Sequence, residues 1–229
     1  MSHTDFFIAG FTPVSLIDYP GEVAATVFTH GCNLRCRYCH NPLLVTGRKR
    51  DNKSSEFFSY MAVRNIGAVA VTGGEPLFSE HITDFVTFLK NDGIKIKLDT
   101  NGFAPARLIP LLEKGLIDYA AVDIKGFCAE DIDYMTRTAR STEPFVKTIR
   151  ALKESGIPFE LRYTAWKKPD EESLFWLADF ARDVPLALQF LQKSTPLLDK
   201  RFSPPMTKAE FYSLKALFES HFRKVTVRE

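Results

Sequence analysis

The sequence predicts an α/β fold, a partial (open) TIM-type barrel of about six βα units built on a parallel sheet. Three observations carry this prediction. Short runs rich in β-branched residues alternate with longer amphipathic segments along the chain. No hairpin signal joins consecutive runs, so each strand must return to the same edge of the sheet through a right-handed crossover. The units also fall short of the eight that close a barrel, which leaves the sheet open and curved, or doubly wound.

Each element has its own signal. Strands are expected at AATVFTH from Ala24, AVAVTG from Ala68, IKIKLDT from Ile94, IDYAAVDIK from Ile117, PFELRYTA from Pro158 and PLALQFL from Pro185. Between and after them, apolar residues at helical spacing predict helices over Ser55–Ile66, Glu80–Asn91, Pro105–Lys114, Thr142–Ser155, Glu171–Arg182 and Lys208–His221. NDG and ESG put glycine just past two of these helices, where a left-handed C-cap is wanted, and APA puts proline near a helix start. A short run, KVTVRE, closes the chain.

With 229 residues, the chain is expected to form a single domain over 1–229, with residues 1–23 as an N-terminal extension and 192–229 as a C-terminal element. Hydrophobic residues at 45% and charged residues at 25% are ordinary for a globular protein, and no apolar run is long enough for a membrane span. The first residues carry no secretory pattern, so a cytoplasmic protein is expected. A net charge of +2 supplies no general field for nucleic acid, and the basic run GRKRDNK reads as a solvated loop. Four cysteines, three of them crowded together, do not make a disulfide framework and point instead to metal.

The crowded three lie in HGCNLRCRYCHNP, His30–Pro42, as Cys32, Cys36 and Cys39. Ligands of a parallel sheet bind at the carboxyl ends of its strands, and the chemically unusual residues fall there. The cysteine loop follows the first expected strand, TGGEP the second, DTNG ends the third and DIKG the fourth. Arg162 and Gln189 lie toward the ends of the fifth and sixth. A structural zinc site needs four ligands, and Cys128, just past DIKG, is the one candidate to complete a zinc site or an electron-transfer cluster. The sharper reading is a [4Fe-4S] cluster with one iron free of protein ligands and open to a small chelating molecule. Cys128 is then a bystander, a small buried hydrophobe.

CNLRCRYC resembles the signature loop of radical S-adenosylmethionine (SAM) enzymes, and with HNP after it the loop is similar to that of glycyl-radical enzyme activating enzymes. The resemblance runs along nearly the whole chain. SLIDYPG, with Asp18, Pro20 and Gly21, resembles the activase segment before the first strand, and TGGEP, DTNG and DIK resemble the family's later motifs. Among activases the pattern is most similar to anaerobic ribonucleoside-triphosphate reductase activating proteins. The stretch Asn41–Val71 holds no cysteine, so one cluster is expected rather than the several of activases with ferredoxin-like inserts.

The resemblance implies a function and a set of roles. Cys32, Cys36 and Cys39 hold three irons, and SAM chelates the fourth through its amino and carboxylate groups; reductive cleavage then yields the 5'-deoxyadenosyl radical, which takes a hydrogen from a glycine of a partner glycyl-radical enzyme. Arg37, Tyr38 and His40 flank Cys39 in a stretch that meets the adenine, with the Tyr38 ring packed on it. Gly73 and Gly74, followed by Glu75, let the backbone approach SAM's ammonium. Asp99, Thr100, Asp123 and Lys125 supply polar contacts around SAM, the two aspartates through a monovalent cation and Lys125 by pairing with SAM's carboxylate. Arg162 and Gln189 join them; the alternative for such strand-end groups is to face solvent or satisfy backbone. A flavodoxin- or ferredoxin-like reductant and sensitivity to oxygen complete the picture. LALQFLQKST lacks the histidine that reaches SAM in some activases, which weakens a pyruvate formate-lyase assignment. QKSTPLLDKRFSPP, Gln192–Pro205, borders the opening as a docking element or a lid. Two rival readings remain: a radical SAM enzyme for a small molecule such as a nucleoside or pterin, and a non-enzymatic iron-sulfur or zinc binding module.

Overall fold

The computed structural model describes residues 6–48, 51–192, 197–203 and 206–228. Parts of the basic run and of the expected docking element, at 49–50, 193–196 and 204–205, lie outside them. Eight strands form one sheet in sequence order: β1 (Ile8–Ser15), β2 (Ala24–Thr29), β3 (Ala68–Gly73), β4 (Lys95–Thr100), β5 (Tyr119–Asp123), β6 (Phe159–Thr164), β7 (Leu186–Gln189) and β8 (Val225–Arg228). β1 runs antiparallel to β2, and every pair from β2 to β8 is parallel. β1 and β8 remain edges rather than pairing with each other, so the barrel is open, as the unit count predicts.

The strand cores are short apolar runs because a parallel sheet is covered on both faces. Ala68, Val69, Ala70 and Val71 are all buried, as are Ala120, Ala121 and Val122. The crossovers are α2 (Ser54–Val63), α3 (Ile82–Asn91), α4 (Pro105–Glu113), α6 (Glu143–Ser155) and α7 (Glu171–Ala181), with α8 (Lys208–Glu219) before β8. Two shorter helices, α1 (Pro42–Thr46) and α5 (Ala129–Thr136), follow the cysteine loop and β5. In α6 the buried residues Phe145, Thr148, Ile149 and Leu152 make a single stripe at helical spacing, the pattern that lets a helix cover a sheet. Gly93 (φ 75°) and Gly156 (φ 73°) end α3 and α6 in the left-handed conformation expected of them.

Four elements depart from expectation. The N-terminal extension supplies β1, whose pairing with β2 is broken by shifts between Ile8 and Gly10 and between Thr12 and Ser15. KVTVRE, expected only as a short closing run, adds a seventh parallel strand. Neither α1 nor α5 was expected; α5 buries Asp131 and Thr136 beside Ile132 and Met135, so it has no clean apolar stripe to read. Among the described residues, no helix is long and apolar enough to cross a membrane.

Candidate active site

Parallel pairing brings the carboxyl ends of β2 to β7 to one rim, where Thr29 is in register with Gly73 and Asp123 with Arg162. The cysteine loop folds over this rim. Gly31 (φ 90°) turns the chain out of β2, its N–H donating to Leu44 O (2.7 Å) and its carbonyl accepting from Glu75 N (2.8 Å). Arg35 N and Arg37 N donate to Thr136 O and Met135 O (2.9 Å each), fastening the loop to the end of α5. Cys32, Cys36 and Cys39 all line one cavity of about 180 Å³ above the sheet. Cys32 Sγ accepts from Leu34 N (3.3 Å). Burial pushes the Cys32 thiol up to about 12 and that of Cys36 to about 11, and raises that of Cys39; the Lys125 ammonium opposes the shift at all three.

Across the cavity, Gly73 and Gly74 are where the rim is tightest. A Cβ on Gly74 would stand 2.0 Å from Gly31 O, and one on Gly73, where φ is 114°, would stand 2.4 Å from Thr29 N. Their bareness serves the packing of this turn against the start of the cysteine loop. Glu75 then clamps the next strand: its buried carboxylate accepts from Leu77 N (3.1 Å), Thr100 Oγ1 (2.9 Å) and Asn101 N (2.7 Å). Desolvation outweighs these bonds and raises its carboxyl to about 7.

β4, β5 and β6 carry a chain of alternating charge. Asp99 accepts from Lys97 and from Arg162 Nη1 (2.9 Å), and Asp123 accepts from Arg162 Nε (2.8 Å) and Lys125 Nζ (3.1 Å). Burial opposes ionisation of Asp123, but Arg162 and then Lys125 outweigh it and lower the carboxyl to about 2; Asp99 is lowered by Arg162 and Lys97 against the same penalty. Lys125 stays protonated because Asp123, Tyr38 and Cys36 overcome its own desolvation.

A sequence profile of the radical SAM superfamily matches residues 26–181, from within β2 to the end of α7. The chain belongs to the radical SAM superfamily. A Methanocaldococcus jannaschii protein provisionally named a glycyl-radical enzyme activating enzyme is 28% identical over 228 residues, covering 96% of this chain and 95% of its own. The pyruvate formate-lyase 1-activating enzyme of Escherichia coli is 28% identical over 190 residues, 77% of this chain and 75% of that one. Among solved structures, Streptococcus suis SuiB bound to S-adenosylmethionine superposes with a TM-score of 0.67 at 15% identity over 88% of this chain. The chain spans about half of that enzyme (49%), and at such identity the likeness shows the fold.

Membership of the superfamily implies a [4Fe-4S] cluster and SAM, and the donor set fits the cluster. Three thiols face one space, Cys32 and Cys36 buried and Cys39 partly so; burial raises all three, and cationic iron would favour their ionised form. Cys128 is no fourth ligand of this cavity: it caps α5, accepting from Asp131 N (3.5 Å).

Of the residues expected to meet SAM in this radical SAM chain, most line the cavity. Tyr38 and His40 do so beside the cysteines; Gly73, Gly74 and Glu75 at the turn; Asp99, Thr100, Asp123, Lys125 and Arg162 on the strands. Tyr38 Oη is buried without a partner, and Lys125 Nζ lies 5.3 Å from the Tyr38 ring centroid. Arg37 and Gln189 do not line it. Arg37 turns its guanidinium outward to Tyr134 O (2.7 Å) and Asp199 (2.7 Å), and Gln189 Oε1 accepts from Thr164 Oγ1 (3.5 Å) at the strand end. At the expected cation position, each of the four oxygens of Asp99 and Asp123 accepts from Lys97, Arg162 or Lys125. Asn101 and Thr164 are among the cavity residues that the sequence did not single out. Asn101, inside DTNG, donates Nδ2 to Asn33 Oδ1 (2.8 Å) and reaches Cys32 Sγ at 3.8 Å. Thr164 lies two residues past Arg162, so alternation along β6 puts both on one face of the sheet and was the signal available.

Proposed function

We propose that this radical SAM protein is an activating enzyme for a glycyl-radical enzyme of the anaerobic ribonucleotide reductase type. The observation that carries the reading is the near end-to-end similarity to the Methanocaldococcus jannaschii protein, which covers 96% of this chain and 95% of that one. Cys32, Cys36 and Cys39 would hold the cluster, and the Gly73–Gly74 turn, Asp99, Thr100, Asp123, Lys125, Arg162 and His40 would surround SAM. When bound, the pair supplies reductive cleavage of SAM to methionine and a 5'-deoxyadenosyl radical able to abstract a glycine hydrogen.

The chain's own residues then have definable tasks. Among the described residues that line the cavity, Lys125 bonds Asp123 through one of its three donors and would pair with SAM's carboxylate. Asp99 and Asp123 hold Arg162 and Lys125 at fixed positions, so the rim need not reorganise on binding. Lys125 would supply the counter-charge to SAM's carboxylate, and a monovalent cation held by Asp99 and Asp123 would share that task. Glu75 keeps the β3 and β4 ends together, and the buried Tyr38 ring lines the cavity where it would pack on the adenine. A cytoplasmic setting and a flavodoxin- or ferredoxin-like reductant accompany this reading.

The test is anaerobic reconstitution followed by dithionite and SAM. The expected result is 5'-deoxyadenosine from the native chain, none from Cys32→Ala, Cys36→Ala or Cys39→Ala, and near-native iron in Cys128→Ala. Reconstituted native protein that cleaves no SAM would refute the enzyme assignment. A glycyl-radical EPR doublet on an added reductase decides the partner.

A further inference from the structure

The C-terminal segment is bonded to the cysteine loop at its most sensitive point. Leu198 N donates to Cys39 O and Asp199 N to Arg37 O (3.0 Å each), a short two-rung ladder along the ligand-bearing backbone. The Asp199 carboxylate, 12% exposed, takes Arg37 Nη1 at 2.7 Å and also pairs with Arg137 at the end of α5. Arg37 itself is held on every side: its N–H by Met135 O, its carbonyl by Asp199, its Nε by Tyr134 O (2.7 Å), and its guanidinium over the Tyr134 ring at 4.5 Å. Asp199 is anchored in turn, its Oδ1 accepting from Arg201 N (3.1 Å) and its carbonyl from Phe202 N (2.9 Å), with the neighbouring Leu197 buried.

Arg37 stands between two of the three cysteines, so whatever fixes it fixes the spacing of Cys36 and Cys39. We infer that Asp199 is a positioning residue: through Arg37 it holds the loop from Cys36 to Cys39 in its metal-ligating shape, making residues 197–203 part of the cluster site although none of them lines the cavity. The inference rests on the reading that these cysteines carry the cluster. The physical ground is preorganisation. A loop with both backbone groups and its side chain already bonded loses little freedom when metal binds, and groups behind the ligands commonly change metal retention 10–100-fold (an order-of-magnitude figure).

The test compares native chain, Asp199→Asn, Asp199→Glu, Arg37→Gln and the Asp199→Asn/Arg37→Gln pair after anaerobic reconstitution. The readouts are iron per chain, the half-time of iron transfer to a colorimetric chelator, and the EPR line shape of the dithionite-reduced cluster. Asp199→Asn is expected to release iron about tenfold faster, equivalent to about 1.4 kcal/mol, with an altered line shape. Asp199→Glu restores both, Arg37→Gln matches Asp199→Asn, and the double variant is no faster than either, because one link is cut in all three. Release from both single variants at the native rate, or no recovery in Asp199→Glu, overturns the inference. A native chain that takes up no iron overturns it together with the reading beneath it, and the two failures are thereby distinguished.

Discussion

Replacing Arg162 by Met should cost this protein about 4 kcal/mol of stability, and the figure follows from what the guanidinium does. It makes two charge-assisted bonds, to Asp99 at 2.9 Å and Asp123 at 2.8 Å, with its own side chain 14% exposed. Such bonds are worth about 1.5–3 kcal/mol each, and breaking a buried ion pair by removing one partner costs about 3–5 kcal/mol, so the two scales meet near 4. The acid side gives an independent check. Asp123 is lowered from 3.8 to about 2, which at 1.36 kcal/mol per unit is roughly 2.4 kcal/mol, shared between Arg162 and Lys125. A carboxyl depressed in the folded state contributes stability that is complete above its unfolded value of 3.8 and is lost as pH falls through about 2. The assay is thermal unfolding of metal-free protein by circular dichroism. At pH 7 the midpoint should drop by about 8–16 °C for a chain of this size, and acid unfolding should move to higher pH. Asp99→Asn added to Arg162→Met should cost less than the two changes separately, since the aspartate has already lost that partner. A midpoint drop under about 2 °C would refute the reasoning, because the triad would then be no more than a solvated surface pair.

Two further outcomes test the rim. Gly74→Ala should destabilise by about 3 kcal/mol or more in urea unfolding, because its Cβ meets a backbone oxygen at 2.0 Å that no rotamer can move. Gly10→Ala, with nothing within 4 Å, should stay within about 0.5 kcal/mol and serves as the control. Glu75→Gln tests the buried carboxyl raised from 4.5 to about 7. A raised carboxyl binds more protons folded than unfolded, so its contribution is greatest below 4.5 and is lost as pH rises through about 7. Between pH 5 and 8 the native chain should lose about 2.5 kcal/mol relative to the variant, and a pH-independent gap between them would show that Glu75 does not titrate there.

What was legible in the sequence was whatever periodicity or spacing encodes. β2 to β7 and the six longer helices announce themselves because each buries apolar residues at a fixed interval, as α6 does with Phe145, Ile149 and Leu152. β1 does not. Pro13 interrupts it, two register shifts break its alternation, and Val14 is half exposed at the sheet edge. The rim position of the four motifs was readable, since strand ends follow from strands. The direction of a side chain was not: Arg37 turns outward because its partner Asp199 is 162 residues away, a distance over which no local pattern reports. Lys97 was likewise silent. Only the neighbouring strands reveal that this lysine is buried against Asp99.

The contact between Gly74 and Gly31 joins the second strand's exit to the third's so tightly that neither can shift alone. A side chain at Gly73 or Gly74 would meet backbone before it met any guest in the basin, so a variant there would fail by unfolding the wall and not by blocking the chamber.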